Sequence, residues 1–175
     1  MAVGHPYNGG ALRLGATIGG ETINWTDDTI NIAIMANGYV QDVRTKAQSS
    51  ANGQEHWSDI SASEISPTGD YVAGGAALTT IAPYIEATLL APYTYVVYTA
   101  NPSTPAVPYS ATWDGVSFTA AAGAAIYKVG TTAATSPLLT FLNFADSPPT
   151  TSGDKYYIMF GTPGTTLGIF NRFLP

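Results

Sequence analysis

Glycine and proline recur so often along this 175-residue chain, 18 and 12 times, that long helices have no room to form. What lies between these breakers is a series of short runs rich in β-branched and aromatic residues. Ile30-Asn31-Ile32-Ala33-Ile34-Met35 alternates and stops at the turn pair Asn37-Gly38. Thr26-Asp27-Asp28 reads as the turn that launches it, and Pro67-Thr68-Gly69-Asp70 as a further turn. Residues 84–89, 93–98, 109–113, 116–119, 124–129, 138–144, 156–160 and 167–173 read as strands, with a further candidate over 17–25. Asp114-Gly115 signals a hairpin between two of them. Residues 41–53 are polar and without period, a loop with room for one helical turn.

Many short strands with frequent turns point to an all-β fold, an antiparallel β-sandwich or β-barrel-like single domain with long Pro-containing loops. No internal repeat divides the chain. The expected organisation is one domain over 1–175, with an extended N-terminal segment 1–10 and long connectors near 101–108 and 146–153. Helix is expected only as a turn or two near 41–55. The expected core is Ile32, Ile34, Trp113, Ile126, Leu139, Phe141 and Ile158, with Leu139 and Phe141 sharing a face because they are two apart.

Charge limits the function classes. Only 10% of residues are charged, against roughly 25% in ordinary globular domains. Tyr, Thr, Ser, Ala and Gly occupy the surface positions that Lys and Glu would fill, and such a surface suits burial against neighbours, the alternative being an extracellular β-domain that is simply polar and uncharged. With six Lys+Arg scattered along the chain and a net charge of −6, there is no basic stripe for nucleic acid. No run reaches the ~18–20 apolar residues of a membrane span. The start Met1-Ala2-Val3-Gly4-His5-Pro6 lacks the basic and apolar regions of a signal peptide, so synthesis in a cytoplasm is expected.

Residues with chemical potential do not assemble into a motif. Cysteine is absent, which removes disulfides, thiolate metal sites and thiol nucleophiles. Glu55, His56 and Asp59 cluster, but no second histidine supports a metal site, and a polar strand start beside a buried Trp57 is the simpler reading. Asp27-Asp28 lacks the rest of a calcium loop and reads as a turn. No Gly-x-Ser-x-Gly elbow is present, and the Gly-Gly pairs lack the Lys-Ser/Thr of a phosphate cradle. Trp25, Trp57 and Trp113 could build a sugar platform, but core or interface anchors fit their strand positions better. No enzyme activity, cofactor or metal is expected.

Several stretches form an ordered pattern: Tyr7-Asn8, then Trp25-Thr26-Asp27-Asp28-Thr29-Ile30 leading into residues 31–35, His56-Trp57-Ser58-Asp59-Ile60, and Glu64-Ile65-Ser66. Thr68-Gly69-Asp70-Tyr71-Val72-Ala73-Gly74-Gly75-Ala76-Ala77-Leu78 follows, then Ala111-Thr112-Trp113-Asp114, Ala125-Ile126-Tyr127-Lys128 and Ala134-Thr135-Ser136-Pro137-Leu138-Leu139. Taken in this order, they resemble a family of small tailed-phage virion proteins encoded near capsid genes. The likeness is best at 56–78 and 111–144, and the chain departs from the pattern around 82–108, after 144 and at its end. It implies a virion structural component without catalysis: a capsid decoration or cement subunit, or a tail or neck subunit. A carbohydrate-binding module is the alternative outside that family.

The expected partners are the major capsid protein or other virion proteins, with homo-oligomers, no nucleic acid and no membrane. The expected location is the virion, after synthesis in the host cytoplasm. An acidic chain would be repelled by packaged DNA, so the outer shell suits it. Pro-containing segments between strands must meet water or a partner. Tyr84, Tyr93, Tyr95, Tyr98 and Tyr109, on and around the 83–108 stretch, are therefore expected to include the protein-interface residues, the alternative being that alternate tyrosines of 93–98 pack inward.

Overall fold

A computed structural model of the chain describes residues 3–7, 23–24, 27–44, 53–78, 82–86, 94–99, 109–144, 148–159 and 170–174. These residues are all-β. Their strands are β1 (Val3–Pro6), β2 (Ile30–Met35), β3 (Ala76–Ala77), β4 (Ala82–Glu86), β5 (Thr94–Thr99), β6 (Tyr109–Phe118), β7 (Gly123–Lys128), β8 (Leu138–Asn143), β9 (Thr151–Met159) and β10 (Phe170–Leu174). Every pairing is antiparallel. Among the described residues, helix is limited to 3-10 turns of three residues, at Trp57–Asp59, Ser61–Ser63 and Ala133–Thr135.

The strands form a five-stranded sheet in the order β1-β8-β7-β2-β3, a three-stranded sheet β10-β5-β4 and a ribbon β6-β9. The five-stranded sheet is buried on both faces, which explains its nearly continuous apolar strands. One face carries Ile30, Ile32, Ile34, Ala124, Ile126, Leu139 and Leu142, and packs against Trp113, Val116, Phe118 and Ile158 of the ribbon. The opposite face carries Ala33, Met35, Ala125, Tyr127, Leu138 and Phe141, and is covered by Tyr7, Trp57 and Ile60. All seven expected core residues are buried.

The shared face expected for Leu139 and Phe141 does not hold. Ile126 pairs with Thr140 but Tyr127 pairs with Leu138, so Leu139 is the extra residue of a bulge. A bulge resets the alternation of every position beyond it, and Leu139 joins the ribbon-side cluster while Phe141 joins the other.

Asp114-Gly115 is likewise a bulge rather than a hairpin. Trp113 pairs with Tyr156 and Val116 with Asp154, leaving one more residue on β6 than on β9, with Gly115 at φ +66°. Positive φ serves a bulge as well as a turn. Here the turn at Gly69-Asp70 docks on it through the Asp70 amide, which donates to the Asp114 carbonyl at 3.0 Å. The turns at Asn37-Gly38 and Gly69-Asp70 stand as expected, and Asp27-Asp28 lies in a turn whose amides reach the Asn24 carbonyl.

The helical turns fall at 57–63 and 133–135 rather than in the described parts of 41–55. Asp59 accepts from the amides of Glu55 and His56, both at 2.9 Å, and that local cap favours the tight turn over a strand. The connector expected near 146–153 is shorter, because β9 already begins at Thr151. Of the 17–25 candidate strand, Ile23 and Asn24 are described and lie outside any strand; Trp25 and residues 101–108 lie outside the described residues.

Candidate functional site

The five expected interface tyrosines do not share one element. Tyr84 lies in β4 opposite Val97, and Tyr95 and Tyr98 lie in β5 opposite Glu86 and Pro83. Successive strand positions alternate between faces, so positions 95 and 98 fall on opposite faces of the sheet. Tyr109 opens β6 and pairs with Met159, in a different sheet. Tyr93 lies outside the described residues. Pro83 is accommodated because β4 is an edge strand.

The best-defined polar constellation joins β2 to the 64–75 segment. The β2 edge is paired with Ala76 and Ala77 at one end and bridged to Glu64 at the other. Between them the Tyr71 hydroxyl takes the place of a strand partner. It accepts from the Ile34 amide at 2.8 Å and donates to Glu64 Oε1 at 2.7 Å, and Glu64 Oε1 also accepts from the Gly74 amide at 2.8 Å. The Gly74 carbonyl accepts from Tyr127 Oη at 2.8 Å and Asn31 Nδ2 at 3.1 Å. Burial pushes the Glu64 carboxyl up from its ordinary range, against the pull of the Tyr71 hydroxyl and the Gly74 and Gly75 amides. Burial, reinforced by the Glu64 carboxylate, pushes the Tyr71 phenol far above its usual value. Every group here is engaged in holding the loop, so the constellation is a structural clasp.

A second constellation surrounds Tyr7, which is 0% exposed. Its hydroxyl lies 2.5 Å from that of Tyr39, and Tyr39 donates to Gln54 Oε1 at 2.9 Å. A phenol has one proton, so Tyr7 is the donor to Tyr39. Gln54 Oε1 also accepts from the Asp42 amide at 2.8 Å, pinning the 40–44 strap. Burial raises both phenols, that of Tyr39 to about 12. The Arg44 guanidinium beside Asp42 holds that carboxyl at about 2. Next to this network an open cleft of about 500 Å³ is lined by the 37–41 turn, Ala120, Ala122, Phe141, Asn143 and Pro148. Val40 on its wall is 78% exposed. Tyr7 and Tyr39 are isolated tyrosines in sequence, and only the proximity of β1 to the 37–44 segment brings them together.

Among the described residues, no group of three or more His, Asp or Glu side chains could hold a metal ion. The Glu55-His56-Asp59 trio is drawn into the turn cap already described. Asp28 pairs with Lys128 at 3.0 Å. Trp57 stacks on Tyr127 with centroids 4.4 Å apart and planes 7° apart, and Trp113 is 2% exposed, so neither offers a free face to a sugar. No described helix is long and apolar enough to cross a membrane.

What remains outward is poor in charge. The outer positions of the ribbon carry Thr112, Asp114, Ser117, Ser152, Asp154, Lys155 and Tyr157, the last 46% exposed. The exposed 131–135 turn is Thr-Thr-Ala-Ala-Thr. No family model, curated protein or solved structure matches the chain.

Proposed function

We propose that this chain is a non-catalytic structural subunit of a phage particle, held on the outside of the capsid shell as a decoration or cement protein. The observation that carries the reading is the charge-poor, hydroxyl-rich exterior. Across the ribbon face and the 131–135 turn, Asp114, Asp154 and Lys155 are the charged side chains among Thr, Ser, Ala and Tyr. Such a surface loses little solvation when a neighbour covers it, and Tyr gains contact area at low entropic cost. The net charge of −6 favours the outer shell over a surface lining DNA. The ordered resemblance of the segments over 56–78 and 111–144 to phage structural proteins supports the same reading.

In this reading the chain binds the major capsid protein and sister copies, with contacts drawn from Tyr84, Tyr93, Tyr95, Tyr98 and Tyr109. The test is quantitative mass spectrometry of purified particles. Hundreds of copies per particle are expected of a shell protein; a handful would move the assignment to the neck or tail, and absence from particles would refute it. A variant lacking 101–108 should fold and fail to incorporate. Incorporation at the wild-type level would place the contact surface elsewhere.

A further inference from the structure

The N-terminal strand closes one edge of the five-stranded sheet. β1 lies at the edge of the five-stranded sheet and pairs with β8 alone, Val3 opposite Asn143 through Pro6 opposite Thr140. The next residue, Tyr7, anchors it. The Tyr7 amide donates to the Leu139 carbonyl at 3.0 Å, and its ring is fully buried in the cluster that includes Trp57, Leu138 and Phe141. Residues 8–22, fifteen in number, join this anchor to Ile23. Fully extended they reach about 50 Å, against a radius of gyration of about 16 Å for a domain of this length. By contour length alone, the link is long enough to reach the sheet of an adjacent copy.

The receptor has to be filled. Without an arm, the β8 edge would show unpaired amides and carbonyls, and the Tyr7 socket would leave a cavity the size of a phenol ring beside Phe141 and Tyr39. A second copy carries an identical arm, so own and foreign arms make the same contacts. Which arm sits in the groove is then set by the effective concentration of the tethered arm against that of neighbouring arms. In a shell of closely packed copies the two become comparable.

We propose that residues 3–7 are an exchangeable arm, which leaves its own β8 and pairs in the same register with β8 of a neighbouring copy, with Tyr7 seated in the neighbour's socket. The partner is a second copy of this chain. The inference rests on the structural-subunit reading for the density of neighbours, but its test needs only the purified full-length chain, so either can fail alone.

Antiparallel partners stand about 4.5–5.5 Å apart at Cα, within disulfide range, and the absence of cysteine removes any background. Val3→Cys and Asn143→Cys variants are purified separately, mixed at high concentration, equilibrated under reductant and oxidised. The V3C–N143C heterodimer should exceed, by about ten-fold, the cross-link formed between V3C and the exposed control T132C. It should collapse to the control level when the V3C chain also carries Tyr7→Ala. The double variant V3C/N143C, diluted, should close within one chain and so verify register and folding. A heterodimer no more abundant than the control, with the double variant closing normally, overturns the proposal. Failure of the dilute double variant to close overturns it too, because the arm then does not occupy β8 at all.

Discussion

Replacing Tyr71 with Phe removes one hydroxyl and leaves the ring, which is buried and lies 5.3 Å from that of Trp113. The packing contribution is conserved, so the variant isolates the clasp. Two bonds are lost. The Ile34 amide, on a residue that is 0% exposed, loses its acceptor at 2.8 Å. Among the described residues, no other strand fills the gap between the β2 contacts to Ala76 and Glu64. An orphaned buried donor costs about 1–3 kcal/mol. Glu64 loses one donor but keeps the Gly74 amide, so this bond adds only about 0.5–1.5 kcal/mol. The two losses share a site and overlap, which puts the expected destabilisation at roughly 2–3 kcal/mol. For a chain of this size that lowers Tm by about 5–10 °C. Urea unfolding followed by tryptophan fluorescence and circular dichroism, with the slope m compared to wild type, measures it directly. A loss below about 0.5 kcal/mol at unchanged m would refute the reasoning, because the hydroxyl would then not be the partner that the Ile34 amide requires.

Glu64→Gln tests the same clasp through pH. Because burial raises the folded-state pKa of Glu64, its contribution is fully present below the ordinary carboxylate pKa and declines as pH rises through the raised value. The stability of wild type relative to E64Q should therefore fall with rising pH across that window, and a pH-independent difference in urea midpoint would show that Glu64 is not the titrating group. Ile34→Ala and Phe141→Ala should each cost about 2–5 kcal/mol in the same unfolding assay, and losses under about 0.5 kcal/mol at both positions would remove them from the core. Gly75→Ala should cost well over Gly38→Ala. Both have positive φ, +71° and +87°, but a Cβ at Gly75 meets the Ile32 carbonyl of β2 while one at Gly38 meets open space. Gly38→Ala should cost only the backbone strain of about 1–2 kcal/mol, and equal losses at the two positions would show that β2 does not press on Gly75.

Sequence alone determined the all-β class, because glycine and proline break helices locally and the β-branched runs between them have few alternatives. It also located β2, β7 and β8, and the buried positions Ile32, Ile34, Ile126 and Trp113, since period and apolarity are local properties. Among expected interface tyrosines, it placed Tyr84, Tyr95 and Tyr98 on strands but could not say that Tyr109 belongs to another sheet, because sheet membership is a long-range choice. Asp114-Gly115 carries the same local signal for a hairpin as for a bulge, and the docking of Asp70 decides between them. Leu139 and Phe141 share parity in sequence, and one bulge, visible only in the β7–β8 register, separates them onto opposite faces. Trp57 looked like the start of a strand until Asp59 capped its turn. Tyr7 and Tyr39 are 32 residues apart and carry no mutual signal; their bond exists because β1 pairs with the edge of β8. Local pattern set which residues would be extended and buried, and tertiary packing set which faces, edges and hydroxyls meet, because those depend on partners distant in the chain.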